Sequence, residues 1–106
     1  MQEMTAKQVH EHLQSGENSP LLLDVREPWE YQICHIKGSQ LVPMNHIPAE
    51  IERFDPAQET IVICHHGIRS RMIANYLSRN GFSNVINLTG GVKSWSEQVD
   101  NDMPVY

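Results

Sequence analysis

The stretch TIVICHHGIRS, residues 60–70, runs from β-branched residues into a cysteine, then through two histidines and a glycine to an arginine. Cysteine reacts as the thiolate, so its surroundings decide whether it is chemistry or packing. A strand that ends at Cys64 and a helix that starts near Gly67 or Ile68 would set the sulfur against a helix N-terminus. The unpaired N–H groups there carry about half a positive charge and favour an anion. Gly67 allows the backbone to curl so that several amides point inward. Arg69 adds a permanent cation able to grip an oxyanion through two parallel hydrogen bonds. Ser70 can donate one more. Cys64 and Arg69 are therefore the candidate catalytic residues, and His65, His66, Gly67, Ile68 and Ser70 the candidate substrate-binding residues. A buried cysteine that ends a strand only as packing is the bland alternative. The glycine and arginine at this spacing weigh against it.

His65 and His66 beside Cys64 invite a metal reading, but adjacent ligands rarely converge on one ion and zinc sites use spaced pairs. No metal is expected. Either imidazole could tune the charge of the loop or relay a proton, or simply face water.

The elements that must position this loop alternate along the chain as in an α/β protein with a largely parallel sheet. Thr5 is the expected N-cap of a helix carrying Val9, His12 and Leu13, stopped by Gly16. Leu21 to Val25 reads as a buried strand, and EPWEYQI as a short helix with Pro28 in its first turn. SQLVP reads as a third strand or extended segment, and Ile47 to Phe54 as a further short helix. TIVIC is expected at the sheet centre, covered on both faces. Ile68, Met72, Ile73, Tyr76 and Leu77 mark one face of the next helix, which ends at Gly81. NVINL is the last strand, TGGVKSW a glycine turn into a short helix, and DNDMPVY a surface tail. A short edge strand at Gln2 to Met4 is a further expectation.

The 106 residues suit a single domain over 1–106, with 40% hydrophobic and 20% charged residues. A net charge of -5 does not supply the basic face that nucleic acid needs. It leaves room for a small anionic substrate, because exposed charges beyond about 8 Å are screened at physiological salt. The start MQEMTAKQVH has no apolar signal core, and no run approaches membrane-spanning length. A cytoplasmic setting is expected, with Cys34 and Cys64 as free thiols and no membrane contact. A monomer is the default.

Taken together, LLLDVREPWEY, CHIKGS, CHHGIRS and TGGVKSW resemble, in chain order, elements of the rhodanese-like sulfurtransferases of the small single-domain kind. The resemblance implies a five-stranded, mostly parallel central sheet flanked by helices, and a persulfide carried on Cys64. Cys64 would take the outer sulfur of a small anionic donor such as thiosulfate and pass it to a thiol or to cyanide. No cofactor is implied. Amides of residues 65–70 would stabilise the persulfide, and Arg69 the departing sulfite. The alternatives are a sulfur-carrier or regulatory module using the same loop, and a small phosphatase or arsenate reductase. Related phosphatases place five residues before the arginine, whereas here four residues separate Cys64 from Arg69 and Ser70 holds the phosphatase position. The shorter loop favours sulfur over phosphorus.

Asp24 and Arg26, at the end of the second strand, are expected to brace the loop, the alternative being a surface ion pair. Glu30 and His35 read as structural, Trp29 and Tyr31 as helix packing, and Trp95 as core. Cys34 stands where the family more often has glycine. The helix over 27–33 is expected to run back to the amino ends of the strands, placing Cys34 at the opposite edge of the sheet, too far for a bridge to Cys64.

Overall fold

The computed structural model describes residues 1–16 and 19–106. In chain order it contains β1 (Gln2–Thr5), α1 (Ala6–Gln14), β2 (Leu21–Asp24), α2 (Pro28–Ile33) and β3 (Gln40–Leu41). A helical turn at Met44–His46 leads into α3 (Ile47–Glu50) and a second turn at Ile51–Arg53. Then follow β4 (Thr60–Ile63), α4 (Ile68–Arg79), β5 (Val85–Thr89) and α5 (Gly91–Gln98). The five strands form one sheet in the order β1-β5-β4-β2-β3, every neighbouring pair parallel.

The centre of that sheet is β4. Its residues Thr60, Ile61, Val62 and Ile63 are all buried, as four consecutive β-branched side chains require when both faces are covered. Alternation along the strands divides the interior in two. Ile61, Ile63, Ile86 and Leu88 pack on one face with Ala6, Val9, Val92 and Trp95 from α1 and α5. Leu23, Val25, Val62 and Val85 pack on the other with Ile47, Ile73, Ala74 and Leu77. Thr5 caps α1 through a reciprocal pair of hydrogen bonds with Gln8, and Pro28 opens α2, as the sequence indicates.

Three expectations are corrected. In α4 the buried stripe is Ser70, Ile73, Ala74 and Leu77, while Ile68 and Met72 are 65% and 57% exposed. Ile68 opens α4 just past the end of β4, and the buried face of the helix begins at Ser70. Trp29, read as packing, is 60% exposed and meets Tyr106 edge to face. The tail, read as a surface segment, instead buries Met103 and returns Tyr106 to the carboxyl end of the sheet.

Candidate active site

Cys64 follows the last residue of β4, and the loop after it turns into α4 at Gly67, where φ is +97°. A side chain at Gly67 would sit 2.9 Å from the Gly90 nitrogen, so position and conformation both demand glycine. The Gly67 N–H donates to Cys64 Sγ at 3.0 Å. The N–H groups of Ile68, Arg69 and Ser70 form the first turn of α4, with no helical carbonyl to bond. They give the loop its positive end, as the sequence anticipates. Cys64 itself is 1% exposed.

The glycine turn before α5 holds the other side of this loop. The N–H groups of Val92 and Lys93 donate to the carbonyls of Cys64 and His65 at 2.9 and 3.1 Å. With those carbonyls held by the α5 turn, the Gly67 amide is left to face the sulfur. A Cβ on Gly91 would overlap both carbonyl oxygens, which explains the second glycine of TGGVKSW. The sequence marks this stretch as a turn but not as a partner of the cysteine loop.

Ser70 differs from its expected role. Its hydroxyl donates to Asn87 Oδ1 and accepts from Cys64 Sγ at 3.3 Å. Asn87, fully buried on β5, also donates to the Gly67 carbonyl at 3.2 Å and to Glu3 Oε1 at 2.9 Å. Neither Asn87 nor Glu3 stands out in the sequence. An asparagine inside an apolar strand, NVINL, is the one signal available, since a buried amide must find polar partners.

Arg69 is held in a bidentate pair by Glu30, at 2.7 and 2.8 Å. Glu30, expected to be structural, is therefore part of the site. The Arg69 pair holds its carboxyl down at about 2, against the opposing effect of burial. The same pairing raises Arg69 above its ordinary value. Tyr106 donates to Glu30 Oε2 at 2.9 Å and accepts from Arg26 at 2.8 Å. Burial, with the bond to Glu30, pushes the phenol up to about 12.

Asp24 and Arg26 are fully buried and paired at 2.8 Å, so the surface-pair alternative is excluded. Burial opposes the charge on Arg26, but the bonds to Asp24 and Tyr106 outweigh it and raise the guanidinium above its ordinary value. The pair reaches the loop through a chain rather than by contact: Asp24, Arg26, Tyr106, Glu30, Arg69.

Arg26 also donates to the Cys34 carbonyl at 2.7 Å and lies 3.9 Å from Cys34 Sγ. This corrects the placement of Cys34 at the far edge of the sheet. A helix of six residues spans about 9 Å, and the Arg26 clasp turns the chain while it is still at the carboxyl end. Cys34 lines a cavity with His65, His66, Val92 and Tyr106. Both cysteines are free thiols. His65 stacks on Tyr106 with ring centroids 4.0 Å apart, and burial, then the neighbouring His66, lowers its ordinary value. His66 is exposed. Among the described residues, no helix is long and apolar enough to cross a membrane.

The family model described as Rhodanese-like domain matches residues 5–98. A thiosulfate sulfurtransferase GlpE of Pseudomonas fluorescens is 37% identical over 79 residues, covering 74% of this chain and 72% of that protein. Rhodanese-like/PpiC domain-containing protein 12, chloroplastic, of Arabidopsis thaliana is 37% identical over 89 residues, covering 80% of this chain and 30% of that protein. The chain spans less than a third of the length of such longer relatives. The crystal structure of SSP1007 from Staphylococcus saprophyticus superposes with a TM-score of 0.84 at 29% identity, covering 93% of this chain and 97% of that one.

Proposed function

Because the chain belongs to the rhodanese-like domain family, we propose that it is a single-domain sulfurtransferase that carries sulfane sulfur as a persulfide on Cys64. The observation that carries this reading is the Gly67 N–H on Cys64 Sγ, at the mouth of a helix whose first amides are unpaired. Cys64 thiolate attacks the outer sulfur of thiosulfate. The S–S bond of the donor breaks, and sulfite leaves with the electron pair. A thiol or cyanide then attacks the outer persulfide sulfur, and the breaking bond returns its pair to Cys64 as thiolate. This is a two-step covalent exchange with no change in the overall oxidation of the protein. The loop amides stabilise the persulfide anion, and Arg69 steers the sulfonate and the leaving sulfite. Asp24 and Arg26 support the loop through Tyr106 and Glu30. The setting proposed is the reducing cytoplasm, with a monomer as the working unit.

Turnover of thiosulfate with cyanide or a small thiol tests the reading. Saturable turnover that Cys64→Ala abolishes is the expected result. Turnover that survives in Cys64→Ala removes the cysteine from the mechanism.

One observation favours a second reading, a sulfur-carrier module fed by a partner protein. Arg69 is already neutralised by Glu30, which weakens its attraction for a small dianion. A carrier would load from a protein persulfide yet show no saturation with thiosulfate. For a phosphatase the geometry is poor: the residue at the phosphatase arginine position, Ser70, is buried and bonded to Asn87.

A further inference from the structure

The amide nitrogen of Asn87 faces two groups that only accept, the Glu3 carboxylate at 2.9 Å and the Gly67 carbonyl at 3.2 Å. Those partners decide which end of the amide is which, and turn Oδ1 toward Ser70. An amide oxygen cannot donate, so the one hydroxyl proton of Ser70 is committed to Asn87. What Ser70 presents to Cys64 Sγ, 3.3 Å away, is a lone pair. Meanwhile the bond to the Gly67 carbonyl holds the residue whose own N–H donates to the sulfur at 3.0 Å.

We propose that Asn87 is a positioning residue for the Cys64 sulfur: by taking the Ser70 proton it makes Ser70 an acceptor, so that Sγ meets one fixed donor and one fixed acceptor. The acceptor suits the S–H form. When the sulfur becomes an anion, Ser70 must either turn its proton to Sγ and leave the Asn87 oxygen unpaired in a buried place, or present a lone pair to a negative charge. Both cost free energy. The Asn87–Ser70 arrangement therefore favours the S–H form and opposes the charge that the helix N-terminus favours. Glu3 keeps the device in register. Burial acts to raise its carboxyl, but hydrogen bonds from Arg71, Thr89 and Asn87 outweigh that and keep it below the usual range.

Among the described residues, Arg69 and Arg71 on α4 act electrostatically on Cys64, Glu3 on β1 reaches it only through Asn87, and His65 and His66 follow it in the loop; substitution at Ser70 changes none of them. The inference rests on the proposed function only in taking Cys64 as the reacting atom. Its test is alkylation by iodoacetamide, which needs no sulfur donor, so the two can fail separately.

The rate is followed against pH on the Cys64 peptide by mass spectrometry, which sets Cys34 aside. In Ser70→Ala the midpoint of the profile is expected to move down by about half a pH unit to one unit, the effect of removing one hydrogen bond from the thiol. A midpoint that stays or moves up overturns the proposal. In Asn87→Leu the Ser70 proton is free to turn to the sulfur. Ser70→Ala placed on that background must then move the midpoint up; a downward move in both backgrounds removes Asn87 from the account. Should Asn87→Leu not fold, Asn87→Asp keeps an acceptor for Ser70, and adding Ser70→Ala must lower the midpoint as in the native chain. Ser70→Thr, which keeps the hydroxyl, is expected to restore the native midpoint, and a profile like that of Ser70→Ala contradicts the proposal.

Discussion

Beneath the Cys64 sulfur the contacts are buried and mostly neutral, through Gly67, Ser70 and Asn87, and end at the Glu3–Arg71 ion pair. At the rim they are ionic, in a chain from Asp24 through Arg26, Tyr106 and Glu30 to Arg69. The difference teaches a division of labour. Short neutral bonds fix where protons lie around the reacting atom and respond little to salt. The ionic chain holds a guanidinium at the mouth, where an anion arrives, and becomes more exposed toward Arg69. Each half can be broken without the other, and the expected losses differ in kind.

The largest effect should come from the inner end of the ionic chain. Asp24→Ala strands a fully buried guanidinium, and unfolding in urea should show a loss of about 3–5 kcal/mol. A loss under about 1 kcal/mol would mean that Arg26 finds other partners and that the chain is not structural. Next comes its outer end. Arg69→Ala should slow loading by thiosulfate about a hundredfold. Glu30 beneath it is buried but keeps its bond from Tyr106, so urea stability should fall by about 1–3 kcal/mol, less than in Asp24→Ala. Equal slowing of iodoacetamide, a neutral reagent, would merge the two regions into one.

Tyr106 joins the halves of the ionic chain, and Tyr106→Phe should cost about 1 kcal/mol in urea unfolding through the lost hydroxyl bonds. Glu30 gives the pH signature. Its carboxyl is held at about 2 against an ordinary 4.5, so its stabilisation is present above 4.5 and is lost as pH falls through about 2. The stability gap between the native chain and Glu30→Gln should therefore narrow from pH 5 toward pH 2. A gap that stays constant would deny the pairing in solution. The smallest effect separates the regions by salt alone: raising ionic strength should weaken thiosulfate loading severalfold and leave iodoacetamide alkylation nearly unchanged.

In the inner region the cysteine loop is legible in the sequence, while Asn87, Glu3 and the role of Ser70 are not. The β-branched run of β4, the glycine at Gly67 and the helix start after it are local patterns, and they place Cys64 correctly. The edge strand expected at Gln2 to Met4 is present as β1, although no pattern in those residues requires it. The rim is built from contacts between residues far apart in sequence, Glu30 with Arg69 and with Tyr106, which leave no periodic trace. The exposed Ile68 and Met72 misled for a related reason. Helical spacing shows that apolar residues share a face, but not where the packing neighbour ends. The position of Cys34 is not legible for the same reason: the clasp by buried Arg26 that keeps it at the carboxyl end of the sheet leaves no local pattern.

The mass of the intact protein after thiosulfate treatment and removal of excess reagent bears most directly on Cys64. One added sulfur atom on the native chain, released by dithiothreitol and missing from Cys64→Ala, is the predicted result. An unchanged mass with both thiosulfate and a small-molecule persulfide donor, or the same gain in Cys64→Ala, would contradict a persulfide on this residue.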